Sequence, residues 1–470
     1  MVQVINNFKD VKVLLIRPPF SESYALAKVK NIVPLAPSLS LATIAPYISK
    51  NGASVEILDL QISENPLSDL KKKIKEYDPQ IIGFTFLTPS YNFIQKSVSL
   101  LKKLNNNILI FAGGPHVSTF PKENLQLFDF VLIGESELAL KEVFSGKPFN
   151  KISGIGFKDK NIFHINKTFK RILNLDELSY PDWSLFNLKK YVSSKSFVKK
   201  NPVGSIETSR GCPFTCDFCN KNIFGYKFRS KSVERTVDEI EYMLSLGFKE
   251  IHIQDDGFST NLQRAKDICD EIIKRKLDLI WNFPNGIRAD KFDKELATKL
   301  VKSGCYNVCF GIETGNKELL KLSNKNITLE TIKKSINIAN KAGLQTTGYF
   351  MFGFPNETKN SMNETIDFAI SSGLNLAKLA ILTPLPGTKR FEEWDELGLI
   401  KSKDWSKYNT HKPDEVYKHP NLNWSEIYHH YRLFYRRFYL RPKFIFSRIK
   451  ESITNKTVFS DMNIFFKTKF

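Results

Sequence analysis

Twice along this chain, short runs of branched apolar residues alternate with segments of helical spacing, and that rhythm admits few folds. Over the first 145 residues "VKVLLIRPP", "SVEILDL", "QIIGFTFLT", "NILIFAGG" and "DFVLIGE" read as strands. "SLSLATIAPYISKNG" and "NPLSDLKKKIKEYD" read as helices between them, the first closed by Gly52. Strands that are apolar throughout must be covered on both faces, which predicts a parallel sheet in a doubly wound, Rossmann-like α/β domain. Such a sheet binds its ligand at the carboxyl ends of its strands. From Val203 the rhythm resumes with "VGSIETS", "EIHIQDDG", "LIWNFPNG", "NVCFGIETG", "TTGYFMFGFP" and "NLAKLAILTPLPGT". Six β/α units predict a partial (β/α)6 TIM-like barrel, with its functional residues at strand C-termini. Between the two lie a hairpin, "GIGFKDKNIFHINK", and a linker, "DELSYPDWSLFNL". A chain of 470 residues exceeds one ordinary core. The expected units are a first domain over 1–146, a linker and hairpin over 147–200, a barrel over 201–392, and a helical, aromatic and basic region over 393–470.

The chemistry is concentrated in "ETSRGCPFTCDFCN", which holds three of the six cysteines, Cys212, Cys216 and Cys219. Six cysteines in a chain this long are too sparse for a disulfide framework, so clustered ones point to metal ligation. A zinc site asks for four ligands, often as two separated pairs. Here Cys269 lies in a helical pattern and Cys305 and Cys309 flank a strand. Three local thiolates without a fourth suit a cubane iron–sulfur cluster with one iron open for chemistry.

"SRGCPFTCDFC" resembles the signature of the radical S-adenosylmethionine (SAM) superfamily, with aromatic Phe218 before the last cysteine. The resemblance implies that Cys212, Cys216 and Cys219 hold a 4Fe-4S cluster. It further implies that SAM chelates the open iron and is cleaved to a 5′-deoxyadenosyl radical. Further matches follow at later strand ends. "IHIQDDGFS" sets Asp255 and Asp256 where the family binds the SAM amino group, a sensible place for a carboxylate. "NGIRAD" sets Arg288 where a guanidinium pairs with the SAM carboxylate. "FGIETG" carries Glu313 in an element similar to Gly-Ile-Glu-Ser-Gly, with Thr for Ser. "GYFMFGFPNET" resembles the glycine-rich fifth strand, with Gly353, Pro355 and Glu357, and "LTPLPGT", ending at Thr388, resembles the element after the sixth.

The first domain resembles the cobalamin-binding domain that precedes many such barrels, through "PSLSLATIAPYISKNGASVEILD", "TFLTPSYN", "AGGPHVSTFP" and "DFVLIGESE". Thr85, Thr88, Gly113, Gly114 and Gly134, at its strand ends, are the implied contacts for the corrin and its nucleotide tail. The fingerprint Asp-x-His-x-x-Gly is absent from the first loop, which reads "RPPFSESY". His116 sits after the fourth strand, where a structural or corrin-contacting role fits better than a ligand beneath cobalt.

Sixty-nine Lys and Arg against 49 Asp and Glu give a net charge of +20. Such a surface suits nucleic acid, anionic membranes or acidic ligands, or simply reflects a composition rich in Lys, Asn, Ile and Phe. "YHHYRLFYRRFYLRPKFIFSRIK" interleaves aromatic and basic residues. It reads as a helix closing the barrel mouth, with peripheral contact to an anionic membrane as the other reading. No apolar run reaches the roughly 20 residues a bilayer needs, and the N-terminus carries no apolar signal core, so a cytoplasmic protein is expected. The leading function is a cobalamin-dependent radical SAM methyltransferase acting on an unactivated carbon. A cyclase or ring-rearrangement enzyme on a tetrapyrrole or lipid-like substrate is the alternative. A basic nucleic-acid-binding protein with a structural metal is the reading from another class. The implied partners are a small-molecule substrate and a flavodoxin or ferredoxin electron donor, without stable nucleic acid.

Overall fold

The computed structural model describes residues 8–19, 34–159, 162–166, 171–195 and 197–454. Its first sheet contains β1 (Lys12–Arg17), β2 (Ser54–Asp59), β3 (Ile81–Thr85), β4 (Leu109–Gly113), β5 (Phe130–Leu132), β6 (Ile155–Asp159) and β7 (Ile162–Ile165), in the order β2-β1-β3-β4-β5-β6-β7. The first five strands are parallel. Val13 to Ile16 of β1 are wholly buried, as an apolar strand covered by helices on both faces must be. The order reverses between β1 and β3, so the crevice for a ligand opens at the carboxyl ends of the central strands. The hairpin expected at "GIGFKDKNIFHINK" forms as β6 and β7 and extends this first sheet with two antiparallel strands.

The linker is ordered by its own Asx side chains. Asn174, Asp182 and Asn187 each accept the N–H two residues on, and each starts a short 3-10 turn. Trp183 and Tyr191 anchor the segment in the core. Its end passes under the second sheet, where the Glu250 carboxylate accepts the Lys199 and Lys200 N–H groups at 2.6 and 2.9 Å.

The second sheet has β8 (Val203–Ile206), then the small antiparallel pair β9 (Ser209–Arg210) and β10 (Arg229–Ser230) outside it. It continues with β11 (Glu250–Ile253), β12 (Trp281–Asn282), β13 (Cys305–Glu313), β14 (Gln345–Phe352) and β15 (Leu376–Ile381). Its order is β8-β11-β12-β13-β14-β15, all parallel, so the six strand–helix units form a partial barrel with β8 and β15 as its two edges.

The edge at β15 explains the aromatic, basic stretch. Helix Trp424–Tyr439 lies along that strand with Ile427, His430, Phe434 and Phe438 buried. Tyr435 and Tyr439, one turn apart, pair with the exposed backbone. Tyr439 Oη accepts from Ala377 N–H (3.1 Å) and donates to its carbonyl (2.6 Å), and Tyr435 treats Leu379 the same way at 3.1 Å each. The helix therefore covers the open flank of the barrel rather than its mouth, because an unpaired strand edge needs partners for its amides. Arg432, Arg436 and Arg437 face outward. No described helix is long and apolar enough to cross a membrane.

Candidate active site

Two glycines bend the cysteine loop. Gly211 has φ +78°, and a Cβ there would lie 2.3 Å from the Lys227 carbonyl oxygen, so only glycine lets the strand beside it approach. Cys212 then donates its N–H to the Gly225 carbonyl at 3.2 Å, and Cys219 to that of Cys216 at 3.3 Å. Cys212 is buried, while Cys216 and Cys219 are half-buried. Burial pushes both half-buried thiols up, and the Lys221 ammonium, hydrogen-bonded to Cys219 and Cys212, acts against this at Cys219. Among the described residues no three His, Cys, Asp or Glu side chains meet closely enough to share a single metal ion.

Charged groups surround Cys216. Arg288 forks onto Asp290 (Nε–Oδ1 2.9 Å, Nη2–Oδ2 3.1 Å) and donates to the Lys325 carbonyl at 2.8 Å. Its guanidinium lies 3.6 Å from the Phe214 ring centroid, and its Nη1 is buried with no partner. Glu313 closes β13 at a register shift with φ +71°, and its carboxylate pairs with Lys325. Lys325 was not anticipated from the sequence. Asn324 and Asn326, at φ +55° and +53°, hold the chain left-handed on both sides of it and deliver a buried ammonium beside Cys216. The only local hint is the Asn-Lys-Asn triplet, since Asn tolerates that conformation.

The two adjacent aspartates separate. Asp255 is buried and accepts from Thr208 N–H and Oγ1, both at 2.6 Å, and from Ser209 Oγ at 2.5 Å. It ties the exit of β8 to the exit of β11. Asp256 is exposed, near Lys221, and accepts the Gly211 N–H. Gly353, at φ +95°, and Phe354 donate their N–H groups to Glu357, whose carboxyl burial pushes up to about 8. Phe218 is half-buried against the second apolar core, and Thr388 Oγ1 caps helix Lys389–Glu396 by accepting from Phe391 N–H at 3.1 Å.

A buried ionic cluster joins the chain after β5 to the β9–β10 pair that flanks the cysteine loop. Arg210 donates to Glu137 (2.6 Å), Glu207 (2.5 Å) and Glu135 (3.2 Å), while Arg229 donates to both oxygens of Glu135. Burial favours a neutral Glu137, but the Arg210 guanidinium brings its carboxyl below the usual range. A groove runs past Gly134, Glu135 and Leu138 to Asn222 and Ile223 of the cysteine loop.

At the carboxyl edge of the first sheet Thr85, Thr88 and Gly114 are half-buried, and Leu87 is 46% exposed. Gly113 is buried beside Leu132, and the Gly134 N–H is taken by Ser118 at 2.9 Å. His116 is caged by Phe86, Tyr91, Phe120 and Trp405, with ring centroids 4.9–5.8 Å away. Burial lowers its pKa to about 3, its Nδ1 shares a hydrogen bond with Thr88, and its Nε2 has no partner. Trp405 comes from the C-terminal region and is fixed by donating to Glu123 at 2.9 Å.

Residues 206–369 match the Radical SAM superfamily, and residues 26–144 match the B12 binding domain. An uncharacterized methyltransferase of Pyrococcus horikoshii, PH0819, is 33% identical over 94% of this chain and 95% of its own length. An anaerobic magnesium-protoporphyrin IX monomethyl ester cyclase of Rubrivivax gelatinosus is 26% identical over 98% of this chain and 83% of its own. Among solved structures, the methyltransferase TsrM of Kitasatospora setae superposes with TM-score 0.67 at 20% identity, covering 82% of this chain and 76% of that one. OxsB, a cobalamin-dependent SAM radical enzyme, superposes at 0.65 and 20%, covering 87% and 58%. The chain belongs to the cobalamin-dependent branch of the radical SAM superfamily, as an enzyme built from a B12-binding domain followed by a radical SAM domain.

Proposed function

We propose that this protein is a methyltransferase that transfers a methyl group to an unactivated carbon of a small molecule. The observation that carries this reading is three free cysteines on one short loop, with Arg288, Glu313 and Lys325 beside Cys216 and the first domain tied to that loop's entry through Arg210. The residues fit the cofactors that the two domains imply. Three free cysteines within eight residues suit a cubane, in which each thiolate would take its own iron. The unpartnered Arg288 Nη1 suits an anionic ligand, and the Leu87 edge suits a large flat apolar one.

In this reading Cys212, Cys216 and Cys219 hold the cluster. Arg288 and Lys325 receive the SAM carboxylate, and Glu313 and Asp256 receive its cationic groups. Asp255 orients the loop through Thr208 and Ser209. Gly353 belongs to the floor of the SAM pocket and Phe218 to its wall. Thr85, Thr88, Gly113, Gly114, His116 and Gly134 form the corrin edge. His116 serves there as a neutral, caged ring. When bound, the cluster and SAM would supply radical chemistry, and cobalamin would supply a methyl group. The buried walls exclude water from that reaction, and the fixed cations orient the amino-acid end of SAM before any bond breaks.

A reduced flavodoxin or ferredoxin is the proposed electron source. Ring formation without methyl transfer is the second reading, favoured by the likeness to the Rubrivivax cyclase over nearly the whole chain. Incubation with methyl-labelled SAM separates the two: label enters the product if the protein methylates, and a product free of label contradicts it.

A further inference from the structure

The partial barrel leaves a seam between its two edges, β8 and β15, and the cysteine loop lies across it. Three separate contacts tie that loop to the connection after β15. Arg390 donates its backbone N–H to the Asp217 carbonyl at 3.2 Å, and its guanidinium pairs with the Asp217 carboxylate. Asn220 Nδ2 donates to the Pro386 carbonyl at 2.9 Å. Gly387, at φ +78°, sits so close that a Cβ would lie 2.4 Å from Asn222 Nδ2, 2.7 Å from Asn220 Nδ2 and 3.0 Å from Thr119 Oγ1. Thr119 belongs to the B12-binding domain, so three loops meet at one glycine.

We propose that Arg390 is a positioning residue for the iron–sulfur cluster, acting through Asp217 to fix the cysteine loop across the open side of the barrel. The proposal rests on the reading of Cys212, Cys216 and Cys219 as cluster ligands. Asp217 stands between two of them in the chain, and its side chain is only 4% exposed. A carboxylate buried there needs a cation, and Arg390 is the cation that reaches it. The guanidinium is itself held: Nη1 donates to Glu393 at 2.8 Å, and the group lies 5.8 Å from the Trp394 ring. Trp394 is buried against Tyr417, 4.6 Å between ring centroids, so the C-terminal region braces the clamp. The planar fork binds the Asp217 and Glu393 carboxylates together, which a lysine ammonium does not reproduce. With Arg390 gone, Asp217 keeps a buried charge on the segment between Cys216 and Cys219, and that segment shifts to hydrate it.

The test uses the full chain, reconstituted with iron and sulfide under anaerobic conditions, and three variants. Arg390→Met is expected to release iron to a chelator roughly 10-fold faster than the parent, the low end of what outer-shell partners contribute to metal affinity. Its reduction midpoint and the line shape of its reduced-cluster electron paramagnetic resonance (EPR) signal both change. Arg390→Lys falls between the two proteins. Asp217→Asn combined with Arg390→Met, which removes the uncompensated charge, recovers most of the iron retention. A parent-like release rate, midpoint and EPR signal in folded Arg390→Met overturns the proposal, as does a change confined to the melting temperature of the iron-free protein. Failure of the parent itself to take up a cluster overturns the cluster reading instead, so the two failures are distinct. If Arg390→Met does not fold, Arg390→Lys and the double variant carry the same comparison: unaltered iron release in Arg390→Lys overturns the proposal.

Discussion

Replacing Arg210 by methionine should separate the two domains energetically while leaving every cysteine in place. The guanidinium serves three carboxylates, and the loss is unequal. Glu135 keeps both its bonds to Arg229, but Glu137 and Glu207 lose the partners at 2.6 and 2.5 Å. Removing one member of a buried pair costs about 3–5 kcal/mol, because the remaining charge stays buried without compensation. At roughly 2–4 °C per kcal/mol for domains of this size, the iron-free protein should melt about 6–20 °C lower at pH 7. The pH dependence identifies the cause. Burial raises the Glu137 carboxyl, and Arg210 more than reverses this, leaving its folded value below the ordinary 4.5. A depressed carboxyl contributes stability above the unfolded value and loses it as pH falls through the folded one. Burial holds Glu207 above its ordinary value even beside Arg210, and without Arg210 both carboxyls rise, so the gap between parent and variant should be widest near neutrality and shrink as pH falls through the carboxyl range. Differential scanning calorimetry of the iron-free proteins reads both quantities. Adding Glu137→Gln to Arg210→Met should recover part of the loss, since neutral replacements of a buried pair are tolerated. A gap under about 1 °C at pH 7, or one that does not change with pH, would refute the reasoning.

Glu357→Gln should stabilise the protein most at and above about pH 8. The parent's carboxyl is raised from 4.5 to about 8, so its stability declines between those values by up to about 5 kcal/mol, and the variant should lack that slope in a melting series. Tyr439→Phe leaves the Ala377 N–H and carbonyl on the edge of β15 without their partner, which should cost about 1–3 kcal/mol in urea unfolding and increase aggregation. Lys325→Met should weaken SAM binding at least roughly tenfold by equilibrium dialysis, because in the proposed site Glu313 would be left as an uncompensated carboxylate where the SAM carboxylate binds.

The sequence made the two sheets legible because apolar strands buried on both faces need no tertiary context to be recognised. The cysteine loop was legible because its spacing is chemical. What escaped depends on contacts distant in sequence. Asp255 and Asp256 are adjacent and alike as letters, and only the fold shows one saturated by Thr208 and Ser209 and the other exposed. Lys325 resembles any surface lysine until two left-handed asparagines turn it inward. Arg390 and Asp217 are 173 residues apart, and nothing local to either announces the pair. The aromatic stretch is legible as a helix with a buried face, but the expectation that it closes the barrel mouth fails because the unpaired edge of β15, which the sequence does not display, takes it to the flank.

The central claim is that three thiolates leave one iron of a cluster open to SAM, and EPR of the dithionite-reduced, reconstituted protein with and without SAM tests it most directly. The account predicts a 4Fe-4S signal that changes shape when SAM is added, and no such signal in Cys216→Ala. A cluster signal indifferent to SAM, or an unchanged one in Cys216→Ala, would contradict it.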